Sequence, residues 1–372
     1  MAEDFGTIAV IGTGLIGGSL ALAAKAAGAA AIIGCARTQS TLDTAKTNGI
    51  IDSGFIDCRQ AAENADIVFI ATPVSSVVET ARTVIPAMKK GAILTDAASV
   101  KGAIVAMIDE TASAAGIRYV GGHPMAGSEV SGVDNANADL FRNAAYILTP
   151  TDRTDADGLK ILHSLIGAIG ARVFTMSPAA HDAAVAVISH LPHLAAAALV
   201  NVAESERGQI SNLFKLAAGG FYDMTRIAGS PSDLWVDIAG ANKEAIEKAV
   251  ADYQVELETM LELVRDADNE GLSSKLERAR AVRNNLPRLR EDENPLVIEL
   301  TIVIPNRPKV LSDVTMRVAE IGVNIEDIQI VHSTEADDGL LRLSVLGEDD
   351  AKAVEEALTK AGYSVGFEKR LK

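Results

Sequence analysis

Several short stretches of this chain gather groups suited to chemistry. The first is Gly12-Thr13-Gly14-Leu15-Ile16-Gly17, lying between an apolar run and a helical stretch. Glycines at that spacing cradle a pyrophosphate. The first makes a tight turn, the second lets backbone approach the phosphates, and the third lets helix pack on strand. Gly14, Leu15 and Ile16 would offer the unpaired N–H groups and positive dipole end of a helix N-terminus. About 20 residues beyond such a motif, an NAD site usually places Asp or Glu on the ribose hydroxyls. Here Ala36 is followed by Arg37-Thr38-Gln39-Ser40-Thr41. A guanidinium and hydroxyls can hold a 2′-phosphate that a carboxylate would repel, so NADP is expected ahead of NAD, with Arg37 and Thr38 as contacts. The plainer alternative is a solvated Arg after a strand. Thr72, just past another apolar run, is assigned to the same cofactor.

Three further clusters stand out. Thr95-Asp96-Ala97-Ala98-Ser99-Val100-Lys101 and Gly122-His123-Pro124-Met125-Ala126-Gly127-Ser128-Glu129 each follow a strand-like run, and Ser189-His190-Leu191-Pro192-His193 lies in a helical one. A histidine titrates near neutrality, so it can take the proton of a hydroxyl whose carbon is losing hydride. His190 and His193 are three apart, which raises a metal site. No third ligand stands at a known spacing, so no metal is expected. His190, His181, His163 and His332 read as surface or packing residues.

These groups need elements to hold them. Apolar runs at Thr7–Ile11, Ala31–Cys35, 67–71, Ile93–Asp96, 119–121, 145–148 and 172–174 alternate with helical stretches, as in a doubly wound α/β sheet. Both cluster-bearing loops would leave C-terminal strand ends, where ligands of open α/β sheets bind. After Pro178 strand signals vanish, and an Ala-rich helical block runs to about residue 285, its faces apolar enough to bury in a homodimer. A charged linker at 286–294 precedes a βαββαβ order, a ferredoxin-like split unit. Three domains follow: 1–177 for the dinucleotide, 178–287 for substrate and dimerisation, and 295–372.

The leading GTGLIGGSLA, the His-Pro-x-Ala-Gly loop, Ser-His-Leu-Pro-His, Phe221-Tyr222-Asp223-Met224-Thr225-Arg226 and Asp233-Leu234-Trp235 resemble the prephenate and arogenate dehydrogenase family from about residue 5 to about 265. The last 75 or so residues look like an ACT domain, a module that often binds an amino acid as feedback signal. The resemblance implies a Rossmann-type domain, an all-helical second domain and an oxidation of the C4 hydroxyl of prephenate. Hydride would pass to the nicotinamide, carbon dioxide would leave, and 4-hydroxyphenylpyruvate would form. It places His123 at the catalytic position and Ser99 beside it. It places His193 and Arg226 on substrate, with Ser189, Ser128, Glu129 and Trp235 completing the pocket. Tyrosine would be the effector of the ACT-like unit, although Lys309 stands where many relatives have Gly. Arogenate differs from prephenate only in an amino group and stays open as substrate.

Formal net charge is −16, which repels phosphate backbones and anionic lipid, so neither nucleic acid nor membrane is an expected partner. No run is expected to reach the roughly 18 apolar residues that span a bilayer. No signal peptide is read at the N-terminus, and two cysteines make no disulfide framework, so the expected location is cytoplasmic. Two other readings compete. A β-hydroxyacid dehydrogenase shares the two-domain plan but not the histidine clusters. A non-catalytic nucleotide sensor would leave Ser99, His123, His193 and Arg226 without a role.

Overall fold

The computed structural model describes residues 5–127, 130, 132–208, 210, 212–286, 297–305, 307–325, 327–331 and 338–369. The chain divides into two compact units, Met1–Leu286 and Pro287–Lys372.

The first unit is built on eight strands: β1 (Thr7–Ile11), β2 (Ala31–Cys35), β3 (Ser53–Phe55), β4 (Ile67–Ile70), β5 (Ile93–Asp96), β6 (Arg118–Pro124), β7 (Ala145–Thr149) and β8 (Arg172–Thr175). They lie in the order β3-β2-β1-β4-β5-β6-β7-β8. Alternation along β1 shows why the sheet is covered on both faces. Ile8 and Val10 enter one core beside Leu20 and Leu165, whereas Ala9 and Ile11 enter the other beside Val77 and Ile108. The covering helices are α1 (Leu15–Ala26), α2 (Gln39–Thr47), α3 (Cys58–Ala62), α4 (Val74–Val84), α5 (Gly102–Ala114) and α6 (Ala156–Ala168).

Two features depart from the sequence reading. The short strand β3 carries no apolar run and is made by pairing with β2. More consequential, β6 continues to Pro124, because β7 pairs with it antiparallel and matches His123 to Ile147. His123 is therefore a sheet residue rather than a loop residue.

The helical part comprises α7 (Pro178–Val185), a π-helical turn (Ala186–His190), α8 (Leu191–Glu206), α9 (Gly219–Thr225), α10 (Ser232–Ala241), α11 (Lys243–Arg265) and α12 (Asn269–Asn284). Pro192 has no N–H to give and would crowd the carbonyl four residues back; the wider π turn just before it accommodates this. The stretch Pro178–Glu206 is continuous, 29 residues long, and apolar enough by length and composition to cross a membrane, which corrects the expectation that no run qualifies. The buried core of the helical part is small, centred on Ala186, Ile246 and Ala249. Val187, Ile188, Val202 and Val255 stand exposed on α8, α11 and the π turn.

The second unit runs β9 (Val297–Pro305), α13 (Val310–Glu320), β10 (Asp327–Val331), β11 (Asp338–Leu346), α14 (Glu348–Lys360) and β12 (Ser364–Lys369), in the βαββαβ order expected. Its antiparallel sheet has the order β10-β11-β9-β12, with both helices packed on one core. The linker at 287–294, Asn306 and His332 lie outside the described residues.

Candidate functional site

Gly12 follows β1 with φ +99°, and a Cβ there would meet the Ala71 carbonyl oxygen at 2.6 Å. A Cβ on Gly17 would lie 2.0 Å from the Gly12 oxygen, so α1 can cross β1 this closely only with glycine at that point. Above Gly14 there is open space, and no side chain caps α1. The helix N-terminus thus keeps its N–H groups, with those of Leu15 and Ile16 in its first turn, for a phosphate. Two hydroxyls beside the loop, Thr13 Oγ1 and Thr72 Oγ1, are buried without a partner among the described residues. A polar ligand at the loop would satisfy both, so these residues fit a dinucleotide.

Arg37 and Thr38 sit exposed beyond the end of β2. They divide the task unequally. The Thr38 hydroxyl caps α2, accepting from Thr41 N–H at 3.3 Å. Arg37 makes no ion pair among the described residues, leaving its guanidinium available to a ligand phosphate.

Beyond β5 the chain turns through Ser99, which is half-buried, into α5. Asp96 is wholly buried there, accepting from Lys101 Nζ, from Tyr119 Oη at 2.8 Å and from Ala98 N–H at 3.0 Å. Next to this buried ion pair lies His123, 9% exposed. Its Nδ1 is 2.7 Å from Nε2 of His181, and His181 Nδ1 is 2.8 Å from Asp182 Oδ1. Burial holds the His123 imidazole well below its ordinary range, and the nearby His181, Lys101 and His190 add to the effect. His123 is consequently neutral at pH 7, the form a base requires.

His181 is fully buried, which excludes the surface half of its surface-or-packing expectation, and it does more than pack, because its ring nitrogens bond His123 and Asp182. The misreading has a cause. Nothing in the local sequence Ser177-Pro178-Ala179-Ala180-His181-Asp182 distinguishes a ligand of His123 from an ordinary first helical turn. Only the docking of α7 against the start of α5 makes it one.

The other predicted histidine forms a second half of the site. His193 lies parallel to Trp235, with ring centroids 3.5 Å apart and planes inclined by 10°. His193 Nδ1 and Trp235 Nε1 are both buried and without partners among the described residues. His190 meets the same indole edge-on at 6.1 Å, is bonded to Asn242, and is pushed down to about 4 by burial. Trp235 and Ile238 pack on the sheet domain's core, and Asp237 accepts a hydrogen bond from Ser75, so α10 ties the helical part to α4. His123, His190, His193 and Trp235 are thereby brought to one place. Ser189 is half-buried in the π turn. Arg226 is exposed and opens a 3-10 turn, Arg226–Gly229, that packs on α8. Ser128 and Glu129 lie outside the described residues. Among the described residues, no group of three His, Cys, Asp or Glu side chains could hold a metal ion.

A Rossmann-type sheet with an open glycine loop, set against a helical domain that supplies histidines to its C-terminal strand ends, defines a nucleotide-binding oxidoreductase. Comparison with known proteins is specific. Residues 20–175 match the prephenate dehydrogenase nucleotide-binding domain, and residues 177–278 match the prephenate dehydrogenase dimerization domain. Prephenate dehydrogenase of Bacillus subtilis is 34% identical over 97% of this chain and 98% of its own. Among solved structures, prephenate dehydrogenase from A. aeolicus in complex with hydroxyphenyl propionate and NAD+ superposes with a TM-score of 0.71 at 33% identity, covering 77% of this chain and 100% of that one. Synechocystis arogenate dehydrogenase gives 0.68 at 36% identity, over 76% and 100%. The chain belongs to the prephenate dehydrogenase family.

Proposed function

We propose that this protein is a prephenate dehydrogenase of tyrosine biosynthesis, oxidising prephenate to 4-hydroxyphenylpyruvate and carbon dioxide. The observation that carries the reading is a buried, neutral His123 at a C-terminal strand end of a dinucleotide-binding sheet, in a chain of this family. The dinucleotide, when bound, supplies the hydride acceptor. His123 takes the C4 hydroxyl proton as that carbon is oxidised, and returns it to the ring oxygen once carbon dioxide has left and the ring is aromatic. Ser99 bonds the hydroxyl or His123. Arg226 and His193 hold substrate carboxylate and side chain, Trp235 and Ser189 wall the pocket, and Ser128 and Glu129 complete it. A strongly acidic chain binding a dianion needs such a fixed cation.

Gly12, Gly14, Leu15, Ile16, Gly17 and Thr72 hold the cofactor backbone, and Arg37 with Thr38 favours NADP over NAD. Residues 1–177 form the cofactor domain and 178–287 the substrate domain, which also joins two copies through its exposed apolar helix faces. Residues 295–372 form a ferredoxin-like ACT domain that takes tyrosine. The enzyme works in the cytoplasm. Absorbance at 340 nm with prephenate and NADP or NAD tests the activity, and arogenate in parallel tests the substrate. In that assay His123→Asn should lower kcat about 10²–10⁴-fold. A variant at the wild-type rate would remove His123 from the mechanism.

A further inference from the structure

We propose that His181 and Asp182 act as positioning residues: a hydrogen-bonded chain, Asp182–His181–His123, that keeps the His123 proton on Nδ1 and leaves Nε2 bare to receive the proton of the substrate. The inference rests on the reading of His123 as the base and adds how that base is held ready.

The argument begins at the carboxylate. Asp182 Oδ1 accepts the Lys101 N–H at 2.8 Å, and Oδ2 accepts the Gly102 N–H at 2.7 Å. These are free N–H groups at the start of α5, a helix with no side-chain cap of its own. Burial works against the Asp182 charge, but the bonds from His181, Lys101 and Gly102 outweigh it and hold the carboxyl below its usual range. An ionised carboxylate only accepts hydrogen bonds. His181 Nδ1, 2.8 Å away, must therefore donate. A neutral imidazole that donates through Nδ1 carries a lone pair on Nε2. That lone pair faces His123 Nδ1 at 2.7 Å, so His123 must donate in turn. The remaining nitrogen, His123 Nε2, has no hydrogen-bond partner among the described residues. With a neutral imidazole at His181, reversing either bond would reverse the other.

The chain has a second consequence. When His123 gains a proton at Nε2, its Nδ1–H can shift toward His181 Nε2 while the His181 Nδ1–H shifts toward Asp182. No bond to carbon is made or broken, and the positive charge is spread toward the carboxylate instead of resting beside Lys101. Among the described residues, the ionisable groups acting on His123 are His181 from α7, Lys101 ahead of α5 and His190 from the π turn, with Asp96 and Asp182 bonded to Lys101 and His181. Of these, only Asp182 is an anion linked to the ring by hydrogen bonds. A fixed tautomer matters as much as a fixed position in a histidine base, as the loss of rate in a serine protease with Asn in place of its triad Asp demonstrates.

Nitrogen-15 NMR of the full-length protein labelled at histidine reads the tautomer directly, without substrate. The chain requires His123 with a protonated Nδ1 and a bare Nε2, assigned by loss of the signal in His123→Asn. A proton on Nε2 overturns the proposal. Kinetics supply the second arm. Asp182→Asn removes the carboxylate charge that obliges His181 Nδ1 to donate and so releases the constraint on both tautomers. It should lower kcat about 10²–10⁴-fold with little change in KM for prephenate. His181→Gln keeps an acceptor for the His123 N–H and should retain most of the rate, within about tenfold, whereas His181→Leu should lose as much as Asp182→Asn. Equal rates for the Gln and Leu variants would overturn the relay even if Asp182→Asn fails to fold. Wild-type protein that does not oxidise prephenate would sink the proposed activity instead, leaving the NMR result to decide the tautomer.

Discussion

At the scale of single residues, burial makes charge expensive on the histidines of the site. His190 shows the cost to the fold. The unfolded chain protonates this residue near 6.5, while burial keeps it neutral in the folded protein down to about 4. Within that window the unfolded state binds the extra proton, so stability falls as pH drops through it and is unaffected above it. His123, also depressed by burial, acts in the same direction. The melting temperature should therefore hold steady above about pH 7 and fall below about 6.5, and His190→Gln should make the fall shallower. An identical acid profile in the variant would assign the sensitivity elsewhere. Arg37 raises a different question, because its neighbour Thr38 is already committed to capping α2. If the guanidinium holds a 2′-phosphate, Arg37→Ala should raise KM for NADP about tenfold or more and leave KM for NAD nearly unchanged. Wild-type preference for NAD would show that a missing acid near the end of β2 does not select NADP here.

Elements decide how these residues meet. The C-terminal ends of β1, β4 and β5 could be read from apolar runs and a glycine motif, because strands buried on both faces leave a strong local signal. β6 runs further than its apolar stretch. Gly122, His123 and Pro124 have weak strand preference, and only the antiparallel partner β7 extends the strand through them. The π turn was likewise unreadable beyond the bend implied by Pro192, although it holds Ser189 and His190. In the second unit, Lys309 adopts φ +74° just before α13, a left-handed conformation that glycine accepts more readily. Lys309→Gly should relieve about 1–2 kcal/mol of left-handed strain, partly offset by about 0.5–1 kcal/mol of glycine's added chain entropy, and raise the unfolding midpoint of this unit. A lower midpoint would mean that the Lys side chain contributes more than its backbone costs.

Across the whole molecule, the chain divides after Leu286 into the large unit and the small sheet unit. Every described residue assigned to the reaction lies before it. The A. aeolicus and Synechocystis structures superpose over 77% and 76% of this chain at the full length of their own, so relatives exist as folded proteins at about the size of the first unit. Ending the chain after Leu286 should accordingly preserve kcat for prephenate. If the ACT reading of the second unit is right, the full chain should bind tyrosine and show a 5- to 150-fold shift in apparent substrate affinity, roughly 1–3 kcal/mol of coupling, that the shortened form loses. Calorimetry that detects no tyrosine binding to the full chain would end that reading.

The sequence by itself determined the parts whose signal is local. Period-two and period-3.6 patterning set the order of strands and helices, and glycine spacing after β1 marked the cofactor loop, since a tight turn and a close helix crossing depend on a few adjacent residues. Motif resemblance located His123, His193 and Trp235. Tertiary structure alone decided what those residues touch. The stack of His193 on Trp235 joins α8 to α10, the His181–His123 bond joins α7 to β6 across 58 residues of sequence, and Asp182 joins α7 to the start of α5 across 81. No periodicity records such contacts, because they arise where separate elements dock. A buried hydrogen bond there is fixed by the packing of whole helices rather than by the residues on either side of it.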